Sequence, residues 1–365
     1  MKVTNVRMET YRWKRKRPIR NGRYVYPHTG LNVIIIETDE GVSGIGLGGN
    51  ALEAEDICRS ITEYLKMYVI DQNPLDNERI WYDMWQPKLV GTRGLTTRII
   101  SGIDIALWDI KGKVSNLPLY KLLGGFTDKV PFYIAGGYYE EGKGLDDLAA
   151  EMQASADMGT EAVKMKIGGA PINEDVERVR VVRETLGPRV KIMVDANCAY
   201  RYYEAIEIAR KIEKYDIYWF EEPVNPDDHK GYELVSRNTA IPVATGENEY
   251  TRYGFREFIE NRYAAILQPD ASIMGGVTEY MKVAAMAQSH DLPISSHGKQ
   301  EIHVHLVAAI PNGLSVEYFT DTFDPMWKDM FRETLTVDKG FLHPPDRPGV
   351  GIELNEEALA PYRVA

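Results

Sequence analysis

The sequence predicts an α/β protein in which an N-terminal α+β unit is followed by a closed, parallel (β/α) barrel. Three observations predict it. The first fifty residues carry strand patterns, and the stretch from 51 to 125 carries helical spacing. After Gly124-Gly125, eight short apolar runs alternate with amphipathic helical patterns, the rhythm of a parallel barrel. Seven of those eight runs end in an ionisable residue, and strand ends of such a barrel open onto one mouth.

In chain order, 33–38 reads as a strand, Asp39-Glu40-Gly41 as a turn and 42–48 as the returning strand. The stretch 18–30, rich in Arg, Tyr, Pro and Gly, reads as a loop. Residues 98–109 hold apolar side chains at helical spacing. The barrel strands are expected at 132–135, 162–167, 190–194, 217–220, 241–244, 264–267, 293–295 and 314–316, with helices such as 203–215 and 277–289 between them. An open doubly wound sheet would want a G-x-G-x-x-G after its first strand, and none is present. From about 320 the chain is irregular, with Pro325, Pro344, Pro345 and Pro348, and is expected to return onto the N-terminal unit. The expected units are therefore 1–125, 126–320 and 321–365.

Composition narrows the function classes. The 365 residues are 44% hydrophobic and 27% charged, a globular mix, with no apolar run long enough for a membrane span. Residues 1–7 alternate polar and apolar and lack the apolar core of a secretory signal. Cys58 and Cys198 are the only cysteines, so a disulfide framework is excluded and a reducing, cytoplasmic setting is expected. A net charge of −11 argues against nucleic acid and acidic membranes as partners. The one basic run is Arg12, Lys14, Arg15, Lys16, Arg17, Arg20 and Arg23. It reads first as a solvated strand end and loop, and second as a source of one or two arginines that lean over an anionic substrate.

The strand ends carry the chemistry. They read Lys164-Met165-Lys166, Asp195-Ala196-Asn197, Glu221-Glu222-Pro223, Gly246-Glu247-Asn248, Gln268-Pro269-Asp270, Ser296-His297-Gly298 and Glu317. One acid there would be a helix cap. Asp195, Glu221 and Glu247 on three consecutive strands would repel one another without a cation, and an all-oxygen set favours Mg²⁺, one per subunit. Lys166, beside the cationic Lys164 and the metal, is expected to have a lowered pKa and to serve as a base. Asp270 is expected to orient His297 as a second base. Glu317 is expected to be a neutral acid that donates to the developing oxyanion. His303 and His305 fall two apart on one helix, where they do not share a face, so they are not expected to bind metal. Gly275-Gly276 reads as a tight loop rather than an anion cradle.

Together these residues resemble the enolase superfamily, in its mandelate racemase subgroup. The resemblance covers nearly the whole chain. It rests on the helix 102–113, the turn Leu122-Leu123-Gly124-Gly125, Lys-x-Lys at 164–166, Asp-x-Asn at 195–197, Glu-Glu-Pro at 221–223, Gly-Glu-Asn at 246–248 and the Asp270–His297 pair. It implies a (β/α)7β modified TIM barrel beneath an α+β capping domain. It implies Mg²⁺ on Asp195, Glu221 and Glu247, bases Lys166 and His297 on opposite faces, Lys164 and Glu317 around an enolate, and Asn197 at the substrate's hydroxyl or carboxylate. A Lys or His base with Mg²⁺ is general to that superfamily. Homo-oligomers, dimeric or octameric, are also implied.

The expected step is abstraction of the proton α to a carboxylate of a small molecule. Dehydration of an aldonate or aldarate to a 2-keto-3-deoxy acid is one outcome. The polar stretch 20–28, with Arg20, Arg23, Tyr24 and His28 as candidate substrate contacts, suits a polyhydroxylated acid. A racemase or epimerase acting by 1,1-proton transfer is the alternative, since it needs two opposed bases. A non-catalytic binding barrel would leave the acid–base set incidental, and a Schiff-base aldolase through Lys166 would leave the three carboxylates without use.

Overall fold

A computed structural model describes residues 1–48, 53–320 and 323–364. The helical stretch expected from 51 and the segment expected from 321 thus begin outside the described residues.

The chain opens with a three-stranded antiparallel sheet, β1 (Val3–Arg20), β2 (Val25–Thr38) and β3 (Ser43–Leu47). Val33 and Ile35 join the core shared with the barrel, while Ile34 and Ile36 join the cap's own core. Both faces of this strand are covered, which is why 33–36 is continuously apolar rather than alternating. The expected loop at 18–30 is mostly ladder: only residues 21–24 separate β1 from β2. Pro18 and Pro27 mislead the sequence reading because both lie where the ladder breaks between Lys14–His28 and Ile19–Tyr26, a position that tolerates proline.

Among the described residues, five helices complete the cap: α1 (Glu55–Leu65), α2 (Asn77–Met84), α3 (Pro87–Val90), α4 (Leu95–Ser115) and α5 (Leu119–Leu122). The long α4 lies directly on β3. A Cβ on Gly46 would come within 1.8 Å of the Gly102 carbonyl oxygen, so this close approach requires glycine.

Eight parallel strands then form the barrel: β4 (Val130–Gly136), β5 (Ala162–Lys166), β6 (Lys191–Asp195), β7 (Ile217–Glu221), β8 (Val243–Thr245), β9 (Ile266–Leu267), β10 (Ile294–Ser296) and β11 (Gly313–Tyr318). Pairing of β11 with β4 closes the ring. Seven helices run between the strands: α6 (Leu145–Asp157), α7 (Ile172–Leu186), α8 (Tyr202–Ile212), α9 (His229–Arg237), α10 (Thr251–Asn261), α11 (Gly276–Gln288) and α12 (Gln300–Ala309). All eight strands fall where the apolar runs place them. The barrel interior is filled, with Tyr133 edge-on to Trp219 at 5.2 Å and Met193, Ala244 and Ile266 in the same cluster.

The C-terminal segment reaches both units. Its hairpin, β12 (Thr336–Asp338) and β13 (Phe341–His343), pairs with the start of β4. Asp324 accepts from Trp13 Nε1 and Thr29 Oγ1 of the cap, and Val364 N donates to Thr10 O. A last short helix, α13 (Glu356–Leu359), precedes that contact. Among the described residues, no helix is long and apolar enough to cross a membrane.

Candidate active site

The site forms because parallel register sets the charged strand ends side by side. Lys166 pairs with Asp195, and Asp195 with Glu221, across β5, β6 and β7. Glu247 joins them from just past β8, after Gly246, whose φ of +143° is one that L side chains rarely adopt. Asp195, Glu221 and Glu247 each offer a carboxylate oxygen, and the three oxygens lie within 4.8 Å of one another. Glu222 and Asn197 adopt positive φ, +42° and +43°, just beyond the strands that carry the ligating acids. Such strained backbone persists where the surroundings over-determine it.

Each acid is held by further partners. Asp195 Oδ1 accepts from Asn197 N, and Oδ2 pairs with Lys166. Glu221 accepts from Lys164 on one oxygen and from Trp219 Nε1 and Gln268 Nε2 on the other. Burial drives the Glu221 carboxyl up, Lys164 pulls it back, and Asp195, Glu317 and Glu247 drive it up again, to about 8. Three crowded carboxylates in an all-oxygen set fit a hard divalent cation, and Mg²⁺ is the cation that suits them.

Lys164 lies on the ring of Tyr133 and pairs with Glu221 and with Glu317 Oε1 at 2.7 Å. Lys166 lies over the Tyr138 ring at 5.0 Å. Its pKa is raised rather than lowered: burial opposes the charge, but Asp195, with Tyr138 and Glu247, outweighs both burial and Lys164. Glu317 likewise departs from expectation. Burial favours its neutral form, but Lys164 and His297 hold its carboxyl below the usual range, and it accepts from Gly298 N at 2.8 Å. It is an ionised acceptor here, not a neutral donor.

His297 Nδ1 meets Asp270 Oδ2 at 2.9 Å, and the other Asp270 oxygen accepts from Ser272 N and Oγ. The free Nε2 faces Glu247 at 3.5 Å and Glu317 at 3.8 Å. Burial lowers the imidazole's pKa, but Glu247, Asp270 and Glu317 more than offset it, lifting it to about 10. His303 is a fixture of this arrangement, accepting from Ala271 N and binding Gly298 O, whereas His305 binds Tyr120 N and Val350 O elsewhere.

Part of this cluster faces one cavity of about 510 Å³ beneath the cap, within the range of small-molecule sites. Lys166, Asn197, Glu247, Asp270, His297 and Glu317 line it, as does His28 from β2. Asn197 Oδ1 is buried and has no hydrogen-bond partner among the described residues. Three expected substrate contacts do not reach the cavity. Arg20 binds Gly169 O and stacks on Tyr139, and Arg23 lies over Tyr24, which is itself exposed. The hairpin explains this: Asn21 Oδ1 takes the N–H groups of Arg23 and Tyr24 and turns the tip outward. Sequence reading missed Tyr26, Tyr138 and Gln268, and named Arg15 only within the basic run from which one or two arginines were expected to lean over the substrate. For Arg15 there was a signal, since Tyr11, Trp13 and Arg15 alternate onto the buried face of β1.

Comparison with known proteins agrees with this geometry. Residues 3–124 match the family model for the mandelate racemase / muconate lactonizing enzyme N-terminal domain, and 147–358 match the model described as enolase C-terminal domain-like. The chain is 37% identical over 336 residues to an arabinonate dehydratase of Saccharolobus solfataricus, covering 90% of this chain and 89% of that one. It is 34% identical to a 3,6-anhydro-alpha-L-galactonate cycloisomerase of Streptomyces coelicolor, covering 90% of each. A solved racemase structure from Streptomyces coelicolor A3(2), with bound magnesium, superposes with a TM-score of 0.93 at 31% identity, covering 99% of this chain and 100% of that one.

Proposed function

The chain belongs to the enolase superfamily, in its mandelate racemase subgroup, and from that premise we propose that it dehydrates a sugar acid to a 2-keto-3-deoxy acid. The observation that carries this is the cluster of three carboxylates flanked on one side by Lys166 and on the other by the Asp270–His297 pair.

Bound on Asp195, Glu221 and Glu247, Mg²⁺ would act as a Lewis acid on the substrate carboxylate, where proton removal builds a second negative charge. The protein's own groups do the rest. Lys166 takes the α-proton as the free amine, the form it would reach once a cation held on Asp195 offsets the carboxylate charge that raises its pKa. Lys164, buried among acids, places a fixed positive charge beside the developing enolate. His297, as imidazolium, delivers its proton to the β-hydroxyl, which leaves as water, and the enol then tautomerises to the ketone. Asp270 holds the ring with Nε2 toward the cavity and stabilises its charged form. Asn197, with an unpartnered carbonyl oxygen, and His28 contact the substrate's hydroxyls.

The test is a panel of aldonates and aldarates with Mg²⁺, assayed for keto-acid. A chelator should abolish product and Mg²⁺ restore it; absence of product from every acid overturns dehydration. The second reading, 1,1-proton transfer, draws support from bases on two arcs of the ring. Deuterium uptake at the α-carbon without loss of water would select it. We further assign capping, barrel and C-terminal units to 1–125, 126–320 and 321–365, a homo-oligomeric state and a cytoplasmic location. Light scattering on the purified protein checks the assembly.

A further inference from the structure

We propose that Arg15 binds a second carboxylate, at the end of the substrate remote from the reacting carbon, so that the preferred substrate is a sugar diacid. This deepens the sugar-acid reading above and rests on it for the reacting end.

Arg15 sits where the β1–β2 ladder is interrupted. Lys14 faces His28 and the next pair is Ile19–Tyr26, so 15–18 are opposed by Pro27 alone. Such irregularities beside a site re-aim a side chain. Lys16 and Arg17 turn to solvent, but Arg15 is 5% exposed and lines the cavity. Its Nε nevertheless has no hydrogen-bond partner among the described residues.

The guanidinium lies over the Phe323 ring at 4.5 Å, a contact that leaves its edge donors free. Asp324 is the carboxylate that acts on it most. That carboxylate is already engaged by Trp13 Nε1, Thr29 Oγ1 and Met326 N. Burial pulls the Arg15 pKa down and Asp324 only partly restores it. A buried cation so poorly compensated is suited to an incoming anion, and the guanidinium fork matches a carboxylate with two parallel bonds.

The placement fits a chain-like substrate. Lys166 lies over Tyr138, and the Tyr138 ring packs on Phe323 at 5.4 Å. Arg15 therefore stands two rings away from the base, on the wall of the same cavity. A substrate with one carboxylate at the metal-site acids extends past Tyr138 and brings its other end to Arg15. A terminal hydroxymethyl group would leave the guanidinium uncompensated.

The test separates the two readings by using probes that cannot lose water. Adipate and 6-hydroxyhexanoate differ only at the far end, and neither has a β-hydroxyl. Calorimetric titration into the full-length, Mg²⁺-loaded protein should give adipate about tenfold tighter binding, as one charge-assisted pair predicts. Arg15→Gln should close that gap, and Arg15→Lys, which keeps the charge but not the fork, should keep part of it. Equal binding of the two probes in wild type, or a gap that survives in Arg15→Gln with an unchanged melting temperature, overturns the proposal. Should Arg15→Gln fail to fold, a reduced adipate preference in Arg15→Lys decides in its favour and an undiminished preference against it. In turnover, matched aldarates should exceed aldonates in kcat/KM. If adipate binds through Arg15 while no sugar acid yields keto-acid, the subsite stands and dehydration falls.

Discussion

His297 and Lys166 reach the cavity from strands separated by β11 and β4 on the short arc and by β6 to β9 on the long one. Their roles therefore separate experimentally. His297→Asn removes the proton donor for the leaving hydroxyl, and water loss should fall by about 10²- to 10⁴-fold. Exchange of the α-proton with deuterated solvent should persist through Lys166, measured by NMR of the recovered substrate. Loss of exchange to the same extent as water loss would remove Lys166 from the role of first base. Asp270→Asn should lower kcat comparably, because the ring loses the partner of its charged form. The gathering of Asp195, Glu221, Glu247, Lys166 and His297 at one end of the barrel was legible because a strand end fixes both a residue's place and its direction. The charge states of Lys166 and Glu317 were not, because they depend on how many carboxylates crowd each amine, which sequence spacing does not count.

One buried acid is among the groups that hold cap to barrel. Asp104 of α4 accepts from Thr278 N at 2.9 Å and Thr278 Oγ1 at 2.6 Å on α11, and Gly276 is pressed so close that a Cβ there would meet the carboxylate at 2.2 Å. Burial raises its pKa to about 7, against the pull of Thr278. The folded protein thus retains this proton from about pH 4 to pH 7 while the unfolded chain loses it. Stability from this group falls as pH rises through that window, by an amount on the order of a few kcal/mol. Melting temperatures of wild type and Asp104→Asn, taken across pH 5 to 8, should converge toward low pH and diverge toward pH 8. Parallel curves would show that Asp104 is not the titrating group. The helical spacing at 98–109 made α4 readable. The hairpin β1–β2 was not, because proline favours loops except where a ladder breaks, and the sequence does not mark that break.

At the scale of the molecule, His305 joins three parts of the chain. From α12 it accepts from Tyr120 N of α5 at 3.3 Å and donates through Nε2 to Val350 O of the C-terminal segment at 2.9 Å. That bonding requires the neutral ring, because a protonated Nδ1 has no lone pair for Tyr120. Burial lowers its pKa to about 4, and the bond to Val350 only partly opposes this. The sign is opposite to that of Asp104. His305 contributes stability that is complete above the unfolded value near 6.5 and is lost as pH falls through 4, up to roughly 3 kcal/mol. His305→Gln, which keeps one donor and one acceptor, should flatten the acid limb of the unfolding curve between pH 6.5 and 4 while leaving turnover at pH 8 unchanged. Its distance from the chemistry follows from the same helical geometry that set His303 under the active site and turned His305 away from it. The His-x-His spacing argues against a shared metal, but the far partner, 45 residues on in an irregular segment, is fixed only by how the C-terminus folds back. An acid limb identical in variant and wild type would mean that the three parts are not held together through this ring.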